Sequence, residues 1–513
     1  MNLKKIIQLN TAILFSFVSL LSVTSCNSQG VTFVNQTNEQ QVAATEISTL
    51  WVEISMEGGT GRAHIESPVK VTSVDGDMSA VFVWSSENYD YMIVDGIRYD
   101  NENPGGPSTF TVHIDSITEP LSVIGDTVAM STPHEIEYTI NWGESTEAVT
   151  ETLEVSDVSE SELFDTLEKA GLSKTGELEL NYAIGYRVTK FGDYSVISID
   201  NSGVYLLIPE GGEAPEGLPD GVTLLYKPLD ESYLVTSSAM DLIVTLGALD
   251  RIALSGTKAS DWYVDEAKQA MEAGDILYAG RYRAPDYELL ITSGCDIAIE
   301  NTMIYHEPGV IEKLRELGIP VLIETSSYET NPLGRLEWIK LYGVLFDLED
   351  EADEYFENEI NAIGDITSDK PDTGMQVAFF HVTANGSINV RKNGDYITCM
   401  IDMAGGHYVP ENAGEGSSAL STMNMQMEDF YAGAKDADIL IYNSTIGGEI
   451  TSIDELIALN PLFADFKAVK EGRVYCTERN LFQQTTGMAD FLTDLNDIFN
   501  GVDKDYTYIN RLY

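Results

Sequence analysis

The stretch GRLEWIKLYGVLFDLEDEADEYFENEINAIGDI, residues 334–366, is a long, largely uninterrupted helical pattern with Leu336, Ile339, Leu341, Val344, Leu345, Ala352, Tyr355 and Ile360 at mixed spacings. It reads as one helix, far longer than the usual length of about 11–12 residues. Before it, short continuous apolar runs at 204–208, 296–299 and 320–323 suit strands covered on both faces, and runs at 376–380 and 438–442 repeat the pattern after it. Helical patterns at 238–247, 262–272, 308–317, 425–435 and 487–499 lie between these runs. Alternation of this kind implies parallel sheets flanked by helices. The stretch therefore divides an α/β region into two lobes, 178–333 and 368–513, with 334–367 as the helix between them. Two lobes on one strut frame a cleft, and open α/β sheets bind ligands beyond the carboxyl ends of their strands.

Ahead of the lobes the pattern changes. Runs at 50–56, 80–84, 89–94, 109–114 and 135–140 are rich in β-formers and separated by turn residues, which predicts an all-β sandwich over 49–142. Its aromatic group Trp84, Tyr89, Tyr91 and Tyr99 is expected mainly in the core. Residues 143–177 read as an acidic linker with one helix, Ser159 and Glu162 forming a capping box and Gly171 its stop. Residues 26–48 are polar and suit a flexible tether.

The first 25 residues resemble a lipoprotein signal peptide. Lys4 and Lys5 precede an apolar stretch too short to span a bilayer, and Ser22-Val23-Thr24-Ser25-Cys26 is similar to a lipobox. The expectation is export, with Cys26 lipidated and the chain held at the outer face of the cytoplasmic membrane or in the cell envelope. Cys295, Cys399 and Cys476 show no C-x-x-C spacing, so neither a zinc knuckle nor a disulfide framework is indicated.

The 513 residues carry 83 Asp+Glu against 29 Lys+Arg, a formal net charge of −54. Such an excess disfavours nucleic-acid backbones and anionic lipid surfaces as partners. No G-x-S-x-G elbow, H-E-x-x-H helix, phosphate loop or dinucleotide fingerprint occurs, so a binding protein rather than an enzyme is expected. Acid pairs carry no weight for glycoside hydrolysis among 83 carboxylates. An exported hydrolase and a surface adhesin built on the β-sandwich stay open as other classes.

A resemblance then enters on specific residues. Met240 to Ile243, Gly247 to Ile252, Ala284 to Leu290, Cys295 to Ile299 and Glu312 to Val321 resemble the first lobe of substrate-binding lipoproteins of iron-siderophore and cobalamin ABC importers. Met427 to Phe430, Ala437 to Ile441 and Val469 to Tyr475 are similar to the second lobe of that family. The likeness spans about residues 180–513. It implies the two-lobed periplasmic-binding-protein fold with a rigid interlobe helix, and a receptor that passes its cargo to an ABC permease and its ATPase. It implies no intrinsic cofactor; the transported iron complex is the ligand, with haem or a corrinoid as alternatives. In the family one glutamate per lobe meets permease arginines, and by position these are Glu288 and Glu428.

The ligand is expected at loops that follow strands. Lys258, Trp262, Tyr282, Arg283, Tyr305, His306 and Tyr328 are the first-lobe candidates, and Asn385, Arg391, Asn443 and Arg479 those of the second. Arginine offers a planar fork of donors to carboxylate or catecholate oxygens, and aromatic rings offer flat apolar contact. A competing account makes His306 and His381 ligands of bare Zn or Mn.

Overall fold

The computed structural model describes residues 46–513 except 60, 75–76, 95–96, 104, 115, 130–133, 147–148, 153–157, 368–371, 384–385, 412 and 414–421. The signal segment, Cys26, nearly all of the tether and Asn385 lie outside the described residues.

Nine strands between Glu46 and Thr152 make up the amino-terminal domain, and all belong to one antiparallel sheet rather than to two facing ones. The sheet curls until its edge strands, Ile97–Asp100 and Thr109–Ile114, approach each other. There the Glu102 amide donates to the Thr109 carbonyl (2.9 Å), and Glu102 Oε1 accepts from the Thr111 amide (2.5 Å). A curled sheet encloses apolar side chains as a sandwich does, so the alternation in the sequence serves either arrangement. Trp84 is fully buried, stacked on Tyr89 at 3.8 Å, with Tyr138 edge-on at 5.0 Å.

The helix expected in the linker is Glu160–Lys169, capped by Ser159, whose side chain accepts from the Glu162 amide. It is packed rather than free: Leu163 and Leu167 are buried against Phe191, Val196 and Leu206. Those partners belong to a second sheet of five strands, Gly176–Glu177, Tyr186–Phe191, Tyr194–Ile199, Gly203–Ile208 and Thr223–Tyr226. In Gly203–Ile208 the residues Val204, Leu206 and Ile208 face this helix, while Tyr205 and Leu207 face the interlobe helices. Cover on both sides explains the continuous apolar run, which sequence reading assigns to a parallel strand.

The first lobe's parallel sheet starts only at Ser232. Its order is Leu277–Tyr278, Ile252–Ser255, Ser232–Leu234, Ala298–Asn301, Val321–Glu324. The second lobe is a separate mixed sheet. Met375–Val382, Gly406–Tyr408, Ile439–Tyr442 and Val474–Thr477 run parallel, and antiparallel strands flank them.

The connector corrects the expectation of a single helix. It is three helices, Pro332–Glu337, Ile339–Phe346 and Glu349–Thr367. The break falls at Asp347, in the left-handed region at φ 61°, a conformation Asp tolerates better than most residues. The last two helices then fold against each other. A Cβ on Gly343 would lie 2.8 Å from that of Ala352, whereas residues nine apart in one straight helix are separated by about 13 Å. Every residue of Ile339–Phe346 is buried, so its apolar positions reflect cover on all sides and run across the break unseen.

These helices join the lobes through one buried cluster. It holds Leu242 and Ile243 of the first lobe, Leu336, Trp338, Ile339, Leu341 and Val344 of the connector, and Ile397, Met400, Phe491 and Leu495 of the second. Fully burying a side chain of this size stabilises by about 1.5–3 kcal/mol. Wide separation of the lobes would give that up, which favours small interlobe movements.

Candidate functional site

Asn331 caps helix Pro332–Glu337 by accepting from the Leu333 amide, and the helix carries Arg335 into the junction of the lobes. The Arg335 guanidinium lies 4.1 Å from the ring centre of Tyr396 and donates to the Ser327 carbonyl at 3.3 Å. Tyr396 opens helix Tyr396–Met403, which Asp395 caps through the Ile397 amide. Arg391, the last residue of its strand, sets its guanidinium 4.9 Å from the Phe482 ring and 3.4 Å from Asp395 Oδ2. Both arginines are buried, at 8% and 7% exposure. They therefore sit on aromatic faces, where cation–π attraction is strongest without water.

The acids facing them are Asp395 and Glu324. Burial pushes both carboxyls up toward the neutral form, opposed by the arginines and by hydrogen bonds. A cavity of about 30 Å³ lies here, lined by Arg335, Tyr396, Ile397, Met400, Leu481, Phe482 and their neighbours. That volume holds one water.

The lobes also bond directly. The Gln483 side chain accepts from the Tyr263 amide (2.8 Å) and donates to the Asp261 carbonyl (2.9 Å), and Arg479 reaches the Tyr263 hydroxyl at 3.4 Å. Beside helix Glu349–Thr367, Asp241 Oδ2 accepts from the Thr486 amide and hydroxyl at 2.7 and 2.6 Å.

Several residues expected at the ligand are used elsewhere. The Arg283 side chain is 7% exposed and pairs at 3.0 Å with Glu102 of the β-rich domain, while also donating to the Thr111 carbonyl (2.9 Å). His306 is buried with Nδ1 3.1 Å from Ser79 Oγ of the same domain. Tyr305 is buried and donates to the Asn201 carbonyl. Trp262 is core, its indole directed to Ser255 Oγ at 3.3 Å. Tyr282 packs against the first-lobe core beside Arg283. Asn443 is buried and caps the short helix Ser444–Gly447. Lys258, Tyr328 and Arg479 are exposed at their strand ends, and Arg391 lies in the junction. Glu288 and Glu428 are exposed in the first turns of Tyr287–Thr292 and Met427–Ala434, where the helix dipole favours a carboxylate.

The Zn or Mn account is corrected. Among the described residues no three His, Cys, Asp or Glu are placed to hold a metal ion. His306 is committed to Ser79, and His381 lies beside the cationic Arg391.

Arg283 gives a test of the contact with the β-rich domain. Glu102 is itself pushed up by burial, with Arg283 pulling it back. Arg283→Met leaves that acid buried without its partner and is expected to destabilise the chain by about 3 kcal/mol. Adding Glu102→Gln should recover most of the loss, as read from denaturant midpoints. His381 gives a second test. Burial first, and the charge of Arg391 second, hold its imidazole down to about 4 from 6.5. Below pH 6.5 the unfolded chain binds more protons than the folded one. The contribution is therefore full above about 6.5 and lost as pH falls toward 4, by up to about 1.4 kcal/mol per pH unit. His381→Gln should flatten that part of the stability–pH curve.

Arg335, Tyr396 and Gln483 were not singled out from the sequence, nor was Tyr263. Phe482 and Gln483 do follow closely on the candidate Arg479 in the chain. Arg335 leaves one local trace, a lone cation among Leu333, Leu336 and Trp338.

Two separate α/β sheets, joined by a buried helical core and meeting at their strand-end loops, define a two-lobed binding protein. Residues 234–481 match the family described as "Periplasmic binding protein". Two uncharacterized lipoproteins of Methanocaldococcus jannaschii are similar. One is 27% identical over 56% of this chain and 70% of its own length, the other 24% identical over 69% and 94%. Among solved structures, a possible iron-binding (periplasmic solute-binding) protein of Staphylococcus epidermidis is 18% identical over 52% of this chain and 96% of its own, with a TM-score of 0.41. A periplasmic heme binding protein of Vibrio cholerae is also 18% identical, over 51% and 97%, with a TM-score of 0.43. Among the described residues no helix is long and apolar enough to cross a membrane.

Proposed function

We propose that this chain is the extracytoplasmic receptor of an ABC importer, tethered through lipidated Cys26, that takes an anionic iron chelate of the siderophore class between its lobes. The observation that carries the reading is the pair of buried guanidiniums, Arg335 and Arg391, resting on Tyr396 and Phe482 where the lobes meet. Asp395 and Glu324 already face these cations, and an anion entering the cavity that Arg335 lines would add a further charge-assisted pairing. Planar carboxylate or catecholate oxygens match a guanidinium fork, and the rings beneath give flat contact. Lys258 and Arg479 at the exposed strand ends supply further positive charge. Glu288 and Glu428 are the two points at which the permease reads the loaded receptor.

The test is to purify the chain from its native host and record its absorption spectrum and metal content. A broad visible ferric charge-transfer band with one iron per chain is the expected result. A sharp Soret band would replace the cargo with haem, and corrinoid bands with a cobalt complex.

A further inference from the structure

We infer that Gln483 is a latch that holds the lobes together at the rim of the junction and must release before cargo enters. This rests on the reading of the junction as the cargo site and adds how entry there is controlled. A cavity of about 30 Å³ is an order of magnitude below the roughly 300–1,000 Å³ that small-molecule pockets occupy. The lobes must therefore part for a chelate to reach Arg335 and Arg391.

The contacts that stand in the way fall into two groups, one beside the connector, where the Thr485 hydroxyl also donates to the Ser238 carbonyl at 3.0 Å, and one at the rim. Asp241 with Thr486 is part-buried and adjoins the connector, where the Tyr355 hydroxyl donates to the Thr486 carbonyl at 3.3 Å. It is suited to be a pivot. Gln483 lies at the rim, and its amide bonds two backbone groups of the opposite lobe at once, the Tyr263 N–H and the Asp261 carbonyl.

Each half of this clasp is fixed on its own lobe. The Gln483 backbone N–H donates to the Asn480 carbonyl at 2.8 Å, closing a turn on the second lobe. Trp262, between the two bonded residues, is anchored 2% exposed in the first-lobe core. At the rim, opening breaks the two solvent-accessible Gln483 bonds and the long contact of Arg479 with the Tyr263 hydroxyl. Because the amide is neutral, salt and pH leave the clasp unchanged, unlike an ion pair.

The test needs no cargo. Dyes are placed through non-canonical amino acids at Glu272 and Asp454, which are exposed on different lobes, and single molecules of the full chain are followed by energy transfer. The unsubstituted chain should occupy mainly one short-distance state. Gln483→Ala should raise the long-distance population about tenfold, the expected weight of two exposed hydrogen bonds. Gln483→Glu, which keeps the acceptor and loses the donor, should fall between, and melting temperatures should stay level. Identical distance distributions in all three chains would overturn the latch. In a second arm, rapid mixing with ferric tris-catecholate should give faster association for Gln483→Ala. If neither chain binds that probe while the distance shift is present, the cargo assignment fails and the latch stands.

Discussion

A chain carrying alanine at both Glu288 and Glu428 is expected to lose cargo uptake in whole cells altogether, while binding the cargo in solution with unchanged affinity. Both carboxylates are exposed, each in the first turn of a helix, and one stands on each lobe. The lobes share the buried cluster around Trp338 and Leu341, which limits how far the two charges can move apart, so a permease can read them as a pair. Removing one partner of a desolvated charge pair costs about 2–5 kcal/mol of docking free energy. Each single substitution should therefore lower uptake at least tenfold, and the pair should abolish it. Neither residue touches the junction of Arg335, Tyr396 and Phe482. A loss of solution affinity would show that the docking surface lies elsewhere.

The second large effect is expected at Arg391. Arg391→Glu reverses a charge that is 7% exposed and already within 3.4 Å of Asp395. Affinity for a ferric tris-catecholate, which is strongly anionic, should fall by about a hundredfold or more, the weight of one or two charge-assisted hydrogen bonds. A neutral ferric hydroxamate should lose less than tenfold. Arg391→Met guards against misfolding, because it removes the charge without placing a third acid beside Asp395 and Glu324. It should retain the same ordering with a smaller gap. Equal losses for both chelates, measured by fluorescence titration, would remove electrostatics from the account.

The architecture was legible where local pattern and burial agree. Runs such as 320–323 and 438–442 are continuous because helices cover both faces, and the capping residue Ser159 marks its helix directly. Reading failed where one pattern serves two environments. The run at 204–208 looks like a parallel strand, yet it belongs to a largely antiparallel sheet clothed on both sides. The connector reads as unbroken because a fully buried segment supplies apolar residues at every phase, which hides the turn at Asp347.

The site was half legible for a different reason. Strand-end loops can be located from local signals, but what each side chain meets is decided by distant residues. Arg283 and His306 carry the right chemistry for a chelate and are taken up by Glu102 and Ser79, the latter 227 positions away. Arg335 lies on a helix rather than in a loop, so the rule that pointed to Arg391 passed over it. Its partner Tyr396 lies beyond two further helices and two strands of chain, with no shared motif.

Equilibrium titration of the purified chain with four coloured probes, ferric tris-catecholate, ferric hydroxamate, haemin and cobalamin, bears most directly on the receptor claim. Saturable binding of ferric tris-catecholate at one molecule per chain, tighter than the other three and weakened by Arg391→Glu, is the result this structure predicts. Failure of all four to saturate would contradict it.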